Sequence, residues 1–293
     1  MKRGTCEMSQ KRYCLITGAS RGLGKAIAKY FWQQGWSLIL LARDHHALNK
    51  VVRTLGEREG QSVSTLGADL SRPEEIERIV EAAKSLTPRL DALINNAGIQ
   101  GAVGPVWENN WQEWLETLQV DLLAPVGLCR LIAPWMAANG GGSIISISGG
   151  GATGPRANFS AYATAKAGLV RFSETLAEEL KLNNVRVNCV APGAMGTSML
   201  EEVVAKGEAV AGKKEYELAF RVLHEGGTSL QRVAELCFFL ATNSSQGITG
   251  KLISTLWDNW EQWPEHLSEL NASDAYTLRR IVGRDRGFEW GDK

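Results

Sequence analysis

The alternation of short β-type segments with longer amphipathic segments is the feature that most constrains the fold of this 293-residue chain. Seven segments have the length and composition of strands, and seven others repeat apolar residues at helical spacing. Strands that alternate with helices form βαβ units, whose strands run parallel. The chain is therefore predicted to be an α/β protein built on a parallel sheet.

The predicted elements follow one another along most of the chain. The predicted strands cover residues 13–17, 37–42, 62–67, 92–95, 142–148, 185–190 and 251–255. The predicted helices cover residues 22–34, 46–59, 73–86, 111–138, 158–182, a region within 199–223, and 230–241. Such sheets bind ligands beyond the carboxyl ends of their strands, where the strand order reverses.

Composition excludes several classes of partner. Lys plus Arg and Asp plus Glu both total 32, so no net charge attracts nucleic acid or an anionic membrane. The longest apolar runs, such as residues 38–42, have strand length and are too short to span a bilayer. No secretory-type apolar segment follows the polar first twelve residues, and a cytoplasmic location is expected.

The cysteines and histidines carry no metal-site or disulfide pattern. The five cysteines are scattered, odd in number and without C-x-x-C spacing, which favours buried, reduced thiols. The four histidines lack a Cys or carboxylate at ligand spacing, and no bound metal is predicted.

A glycine-rich segment, T-G-A-S-R-G-L-G at residues 17–24, follows the first predicted strand and opens the first helix. Glycines there let the backbone turn tightly and approach a pyrophosphate, which lies on the positive end of the helix. The spacing differs from G-x-G-x-x-G because three residues separate the first two glycines. The predicted cofactor contacts in this turn are Gly18, Ser20, Arg21, Gly22, Leu23 and Gly24.

The end of the second strand favours NADP over NAD. NAD-binding folds generally place an acid there for the ribose 2′-hydroxyl, whereas a basic residue accommodates a 2′-phosphate. Ala42 and Arg43 stand at this point, and Arg43 with Arg21 could hold the phosphate. Asp44 could instead serve the ribose if the strand ended one residue later, which would favour NAD.

Two further strand ends supply predicted cofactor contacts. Asp69, followed by Leu70, is placed to accept from the adenine amino group. It could instead cap the next helix, for which Ser71 is the better candidate. Asn96, Ala97 and Gly98 follow the fourth strand, and the small residues allow close approach of the backbone to the cofactor.

Tyr162 and Lys166 lie four residues apart within a segment of helical periodicity, so they share one helix face. A nearby ammonium favours the phenolate and should lower the pKa of the tyrosine. On its own, such a pair is more often a solvated helix edge. The pair becomes informative because three other segments of the chain match the same kind of site.

Together these segments resemble the short-chain dehydrogenase/reductase family, in its one-domain subgroup. The resemblance covers roughly residues 11–253 and rests on residues 17–24, Asp69, residues 95–98, Ser148, Tyr162 with Lys166, and Pro192-Gly193 with Thr197. It implies a Rossmann-type doubly wound parallel seven-stranded sheet with helices on both faces.

The resemblance also implies a role for each matched residue. Tyr162 would be the general acid in reduction and the base in oxidation, and Lys166 would bind the nicotinamide ribose and lower the Tyr162 pKa. Ser148 would hydrogen-bond the substrate oxygen where negative charge develops. The nicotinamide side of the cleft would be formed by Pro192, Gly193, Met195 and Thr197.

Two positions depart from the family pattern. Asp121 stands where the family has an Asn that supports a water leading to the catalytic Lys. It is either part of an altered proton path or an ordinary polar helix residue. Ser148 precedes Tyr162 by fourteen residues, one more than in many relatives. A different alignment would put Gly149 in place of the serine, and Ser146 is a further candidate, but Ser148 is favoured.

Residues 1–256 are predicted to form one domain, and residues 257–293 a C-terminal extension. The extension is rich in aromatic residues and is expected to pack on the domain or a partner subunit, or over the cleft. Trp107, Trp111 and Trp114 at the start of the fourth helix suggest a core or interface stripe. A homodimer or homotetramer is expected.

The sequence therefore predicts an NADP(H)-dependent oxidoreductase that interconverts a carbonyl and a secondary alcohol. A 3-oxoacyl thioester and a keto-sugar are both open as substrates, because fold does not fix substrate. The alternative is a cofactor-binding regulatory or scaffold protein with the same fold and weak catalysis.

Overall fold

A computed structural model describes residues 11–290 and contains all seven predicted strands in one parallel sheet. The strand order is β3-β2-β1-β4-β5-β6-β7, so the chain reverses direction across the sheet between β1 and β4. The strands are β1 Tyr13–Thr17, β2 Ser37–Ala42, β3 Val63–Gly67, β4 Ala92–Asn95, β5 Gly142–Ile147, β6 Val185–Ala191 and β7 Leu252–Ser254. The Rossmann-type doubly wound fold is confirmed.

Helices cover both faces of the sheet. They are α1 Gly22–Gln33, α2 His45–Leu55, α3 Glu75–Leu86, α4 Trp111–Leu118, α5 Ala124–Ala138, α6 Ser160–Glu179, α7 Ser198–Lys206, α8 Glu208–Ala211, α9 Lys213–Glu225, α10 Leu230–Ala241 and α11 Leu267–Asn271. Short 3₁₀ segments cover Asn243–Ser245, Trp260–His266 and Gly283–Arg286.

Glycines with positive φ end one helix earlier than predicted and divide another predicted region into three. α2 stops at Leu55 rather than residue 59, because Gly56 has a φ of 70°. The region within 199–223 is three helices rather than one, since Gly207 and Gly212 have φ values of 80° and 86°. Such φ values cost a side-chain-bearing residue free energy, so glycine marks these breaks.

The predicted fourth helix, 111–138, is continuous but irregular. α4 passes through a π-helical turn at Gln119–Leu123 into α5. A π-turn inserts an extra residue into the helical repeat and commonly marks a functional position. Asp121 lies in this turn and is fully buried.

The two faces of the sheet carry separate apolar cores. α1 and α10 cover one face, where Phe31 and Leu240 are fully buried. α3, α5 and α6 cover the other face. β2 is buried at every position, as expected of a central parallel strand covered on both faces.

The start of the C-terminal extension packs on the domain. Trp260 joins the α1–α10 core, with its ring 5.0 Å from that of Phe239. The Nζ of Lys251, just before β7, donates to the carbonyl oxygens of Leu270 and Ala275 at 3.0 and 2.9 Å. The backbone N–H of Leu252, in β7, donates to the carbonyl of Tyr276 at 2.8 Å. This part of the extension therefore follows the outer edge of the sheet.

By length and composition alone, residues Trp111–Ala138 could cross a membrane. Half of the most apolar stretch is buried inside the domain, where the helix packs against α3 and α6. Apolar composition of this kind is expected of a core helix.

Four cysteines, Cys14, Cys129, Cys189 and Cys237, are buried free thiols, as predicted. Burial raises the pKa of Cys129 to about 12, which keeps the thiol protonated and unreactive. Cys6 lies outside the described residues.

Candidate active site

A cleft of about 1010 Å³ opens at the carboxyl end of the sheet. The part of its wall that follows β1, β2, β3 and β4 carries the predicted pyrophosphate and adenine contacts and is called the nucleotide half. The part that follows β5, β6 and β7 carries Ser148 and is called the substrate half. Every residue predicted to contact the cofactor lies in this wall, together with Ser148. Asp121, also predicted as catalytic, is not part of the wall.

The glycine turn between β1 and α1 leaves no room for a side chain at Gly18 or Gly24. Gly18 has a φ of 66°, and a Cβ on Gly24 would lie 2.3 Å from the Gly18 carbonyl oxygen. Asn96 braces the turn by donating from Nδ2 to the Thr17 carbonyl oxygen at 2.8 Å. At the N-cap of α1, the side chain of Arg21 makes no capping hydrogen bond, which leaves backbone N–H groups for an anion. The turn therefore fits a pyrophosphate.

Two acidic residues in the nucleotide half already accept local hydrogen bonds. Asp44 caps α2 by accepting from the Ala47 N–H at 3.0 Å, and this bond is the main cause of its lowered pKa. Asp69 accepts from the Ser71 N–H at 3.0 Å. α3 begins only at Glu75, so neither Asp69 nor Ser71 caps it. Asp69 lies in the cleft wall, where an adenine contact was predicted.

Lys166 and Asp121 form a buried ion pair. The Lys166 Nζ lies 3.1 Å from Oδ2 of Asp121 and donates to the Ile147 carbonyl oxygen at 3.2 Å. The other oxygen of Asp121 accepts from the Ile99 N–H at 2.8 Å. Asp121 thus lies behind Lys166 and joins the π-turn to the strand end that carries Ile99. It lies outside the cleft wall and reaches the cleft through Lys166 and Ile99, which both line that wall.

The ion pair shifts the pKa values of both partners. Burial is the largest influence on Lys166 and favours the neutral amine, but the carboxylate of Asp121 and the phenol of Tyr162 together outweigh it, so the pKa of the lysine is raised. Burial also raises the pKa of Asp121, which the Lys166 ammonium only partly offsets. Lys166 is therefore held as an ammonium at neutral pH.

The predicted lowering of the Tyr162 pKa is wrong in direction. Burial raises the pKa of this phenol, Lys166 lowers it, and the Asp121 carboxylate opposes Lys166. The Lys166 Nζ lies 5.4 Å from the centroid of the tyrosine ring. Helical spacing predicted the ammonium, and the family resemblance placed Asp121 close to Lys166, but neither indicated that burial would raise the pKa of the phenol. Tyr162 is consequently protonated at neutral pH.

Ser148 lies in the cleft wall just beyond β5, and its buried Oγ has no hydrogen-bond partner. Ser146 lies within β5 and is not part of the cleft wall. Gly149 packs directly on Tyr162, because a Cβ there would lie 2.3 Å from the hydroxyl oxygen of that tyrosine. Ser148 is therefore the chain neighbour of the residue that contacts the Tyr162 hydroxyl.

An ion pair in the substrate half escaped the sequence analysis. Arg156 donates from Nε to Glu215 at 2.9 Å and joins the loop after β5 to α9. Its guanidinium carbon lies 3.8 Å from the ring centroid of Phe159 and 5.4 Å from that of Tyr162. The partners are 59 residues apart, and no spacing rule links them.

The fold and this cleft define a class of nucleotide-binding α/β proteins. The family model for the short chain dehydrogenase matches residues 12–208. Human dehydrogenase/reductase SDR family member 4 is 31% identical over 242 residues, which cover 83% of this chain and 85% of the human protein. A 3-oxoacyl-[acyl-carrier-protein] reductase of Thermotoga maritima is 30% identical, with 83% and 95% covered.

Solved structures agree. L-sorbose reductase from Gluconobacter frateurii, in complex with NADPH and L-sorbose, superposes with a TM-score of 0.74 at 29% identity, covering 83% of this chain and 94% of that protein. An NAD⁺-bound xylitol dehydrogenase has a TM-score of 0.75 at 24% identity, covering 83% and 96%. The chain belongs to the short-chain dehydrogenase/reductase family and is an oxidoreductase acting on CH–OH or carbonyl groups.

Proposed function

We propose that this protein is an NADP(H)-dependent reductase that converts a ketone into a secondary alcohol. The observation that carries the proposal is the grouping of Ser148, Tyr162 and Lys166 in the wall of the cleft, beyond the glycine turn. The substrate class is a 3-oxoacyl thioester or a keto-sugar.

Each of the three side chains has a distinct part in the proposed reaction. A bound reduced nicotinamide supplies the hydride. The unpartnered Ser148 hydroxyl donates a hydrogen bond to the substrate oxygen as negative charge develops there. Tyr162 donates its proton to that oxygen, and the ammonium of Lys166 stabilises the resulting phenolate. Asp121 positions Lys166 and preserves its charge.

The raised pKa of Tyr162 favours the reductive direction at neutral pH. Reduction requires the protonated phenol as the acid, and burial maintains that form. Oxidation requires the phenolate and should therefore need a higher pH.

NADP is favoured by the residues at the end of β2. Arg43 is exposed in the cleft wall, where its guanidinium would attract a 2′-phosphate. Asp44 caps α2, which competes with a role in binding the ribose 2′-hydroxyl. The L-sorbose reductase contains NADPH, whereas the xylitol dehydrogenase contains NAD⁺, so the relatives are divided.

NADPH oxidation with a panel of ketones tests the activity, with cofactor binding measured in parallel. Tyr162→Phe should lower kcat by about 10²–10⁴-fold while the protein still binds NADPH, since only the proton donor is lost. Binding of NADPH without turnover of any ketone would favour the regulatory or scaffold alternative.

Arg43→Ala tests the cofactor preference. Loss of a charged contact to the 2′-phosphate should raise the KM for NADPH by roughly 10- to 100-fold and leave the KM for NADH nearly unchanged. An equal change in the KM values for NADPH and NADH would contradict the assignment of Arg43 to the 2′-phosphate. It would favour the alternative in which Asp44 binds the ribose 2′-hydroxyl.

We also propose a cytoplasmic homodimer or homotetramer, with residues 1–256 as one domain. Trp111, Leu115 and Leu123 are exposed apolar residues on α4 and the π-turn, and a second subunit would bury them. Sedimentation of the wild type and of a Leu123→Glu variant measures this, and an unchanged mass would argue against that interface.

A further inference from the structure

The first three tryptophans after β7 have very different environments. Trp260 and Trp263 are 4% and 7% exposed, whereas Trp257 is 84% exposed. An indole left in water forgoes the stabilisation that burial gives its two neighbours. Trp257 lies in the wall of the catalytic cleft, which suggests a ligand that covers it.

The loop that carries Trp257 is held by a compact set of hydrogen bonds. The Ser254 N–H donates to Asp258 Oδ2 at 2.7 Å, and the Asp258 N–H donates to the Ser254 carbonyl oxygen at 3.3 Å. The Trp257 N–H donates to the Ser254 hydroxyl oxygen at 3.2 Å. The backbone beneath the indole is thus fixed before any ligand arrives, which lowers the entropic cost of binding.

The position of Trp257 assigns it to the substrate half of the cleft. β7 is the edge strand next to β6, on the opposite side of β5 from the glycine turn. The adenine and phosphate contacts proposed above follow β1, β2 and β3. Trp257 therefore lies on the side where a substrate, rather than the adenosine of the cofactor, would bind.

A second residue in the wall also lacks a partner. Gln100 is 3% exposed, and its buried Nε2 makes no hydrogen bond. Among the described residues of the cleft wall, Ser148 also has a buried polar side-chain atom without a hydrogen-bond partner. A buried donor without an acceptor costs free energy, which an oxygen of the substrate would recover. Gln100 follows β4, so two strands separate it from β7.

We propose that the substrate is a cyclic hydroxylated ketone, such as a keto-sugar ring, recognised by Trp257 and Gln100. This inference rests on the proposed reductase function and narrows its substrate class. The C–H face of the ring would stack on the indole, and a ring oxygen or hydroxyl would accept from Gln100 Nε2. A 3-oxoacyl chain offers no comparable flat face to a rigid indole.

Two substrates and matched variants test the assignment. The substrates are a methyl keto-hexopyranoside and the N-acetylcysteamine thioester of acetoacetate, both assayed with NADPH. Trp257→Ala should raise the KM for the ring ketone roughly 10-fold with little change in kcat, and Trp257→Phe should restore most of the loss. The thioester should respond to neither variant. Trp290→Ala is the matched control, because Trp290 is 76% exposed and lies outside the cleft wall.

Gln100→Met removes the donor at similar size. It should lower kcat/KM by about 10- to 100-fold for the ring ketone, and by much less for a deoxy analogue that lacks the accepted hydroxyl. Melting temperature and NADPH affinity should match the wild type, which separates recognition from misfolding.

Four outcomes would overturn the inference. Equal losses on the ring ketone and the thioester, or no loss on the ring ketone, would remove the proposed roles of Trp257 and Gln100. Reduction of the thioester but not of the ring ketone by the wild type would reject the keto-sugar and leave the reductase function intact. If the wild type oxidises NADPH with neither substrate nor any other ketone, both proposals fail.

Discussion

The nucleotide half and the substrate half of the cleft are built in different ways. The nucleotide half is shaped by backbone, since Gly18 and Gly24 leave no room for a Cβ and Asn96 braces their turn. The substrate half is shaped by side chains that meet from distant parts of the chain, as Arg156 and Glu215 do. Backbone recognition depends on local spacing, whereas side-chain recognition depends on tertiary packing.

Matched glycine substitutions should separate the two halves most sharply. Gly149→Ala places a Cβ 2.3 Å from the Tyr162 hydroxyl oxygen and should displace it, lowering kcat by about 10²-fold while NADPH still binds. Gly24→Ala forces the glycine turn open and should raise the Kd for NADPH roughly 10-fold. Steady-state kinetics and fluorescence titration measure the two effects.

Gly154→Ala serves as the control for both variants, because a Cβ at Gly154 meets no atom within 4 Å. It should behave as the wild type. A Gly149→Ala enzyme that loses NADPH affinity rather than kcat would show that the two halves are not separable in this way.

Asp121→Asn should shift the pH dependence of turnover. The carboxylate raises the pKa of Tyr162, so its loss lets the Lys166 ammonium lower that pKa. Oxidation, which needs the phenolate, should gain rate at a lower pH than in the wild type. Reduction needs the protonated phenol, so as the pH rises the variant should begin to lose its rate of reduction at a lower pH than the wild type does.

The pH profiles of kcat/KM in both directions measure this shift, and Glu116→Gln, an exposed acid on the same helix, is the control. Profiles of Asp121→Asn that coincide with the wild type would mean that the buried carboxylate does not influence the tyrosine.

The smallest effect on turnover is expected from Lys251→Met. The variant leaves the carbonyl oxygens of Leu270 and Ala275 without their donor and should lower the free energy of unfolding by about 1–3 kcal/mol. Thermal unfolding measures the loss. Because Lys251 lies outside the cleft wall, kcat should change little at a temperature where the variant is folded.

Most of the fold was predictable because its elements carry local patterns. The bounds of α10 agree with the prediction, and Ser229 caps this helix by accepting from the Arg232 N–H. The π-turn at Gln119–Leu123 was not predictable, because the apolar pattern continues through it. The breaks at Gly207 and Gly212 could have been inferred from the glycines alone.

The candidate site was predictable where a residue type and its spacing determine the chemistry. The pairing of Tyr162 with Lys166 followed from helical periodicity, and the glycine turn followed from its position after β1. The direction of the Tyr162 pKa shift did not, because burial and the Asp121 carboxylate depend on packing. Trp257 and Trp263 also look alike in sequence, although one is exposed and the other buried.

The contact between Leu252 and Tyr276 has a consequence for how copies of this protein can assemble. An edge strand with free N–H and C=O groups can recruit the matching strand of another molecule and continue the sheet across both. Here the chain's own C-terminal segment takes an outward N–H of β7. This contact disfavours a continuous sheet between two molecules through β7. Removal of the C-terminal segment would leave the edge of β7 free to pair with another molecule.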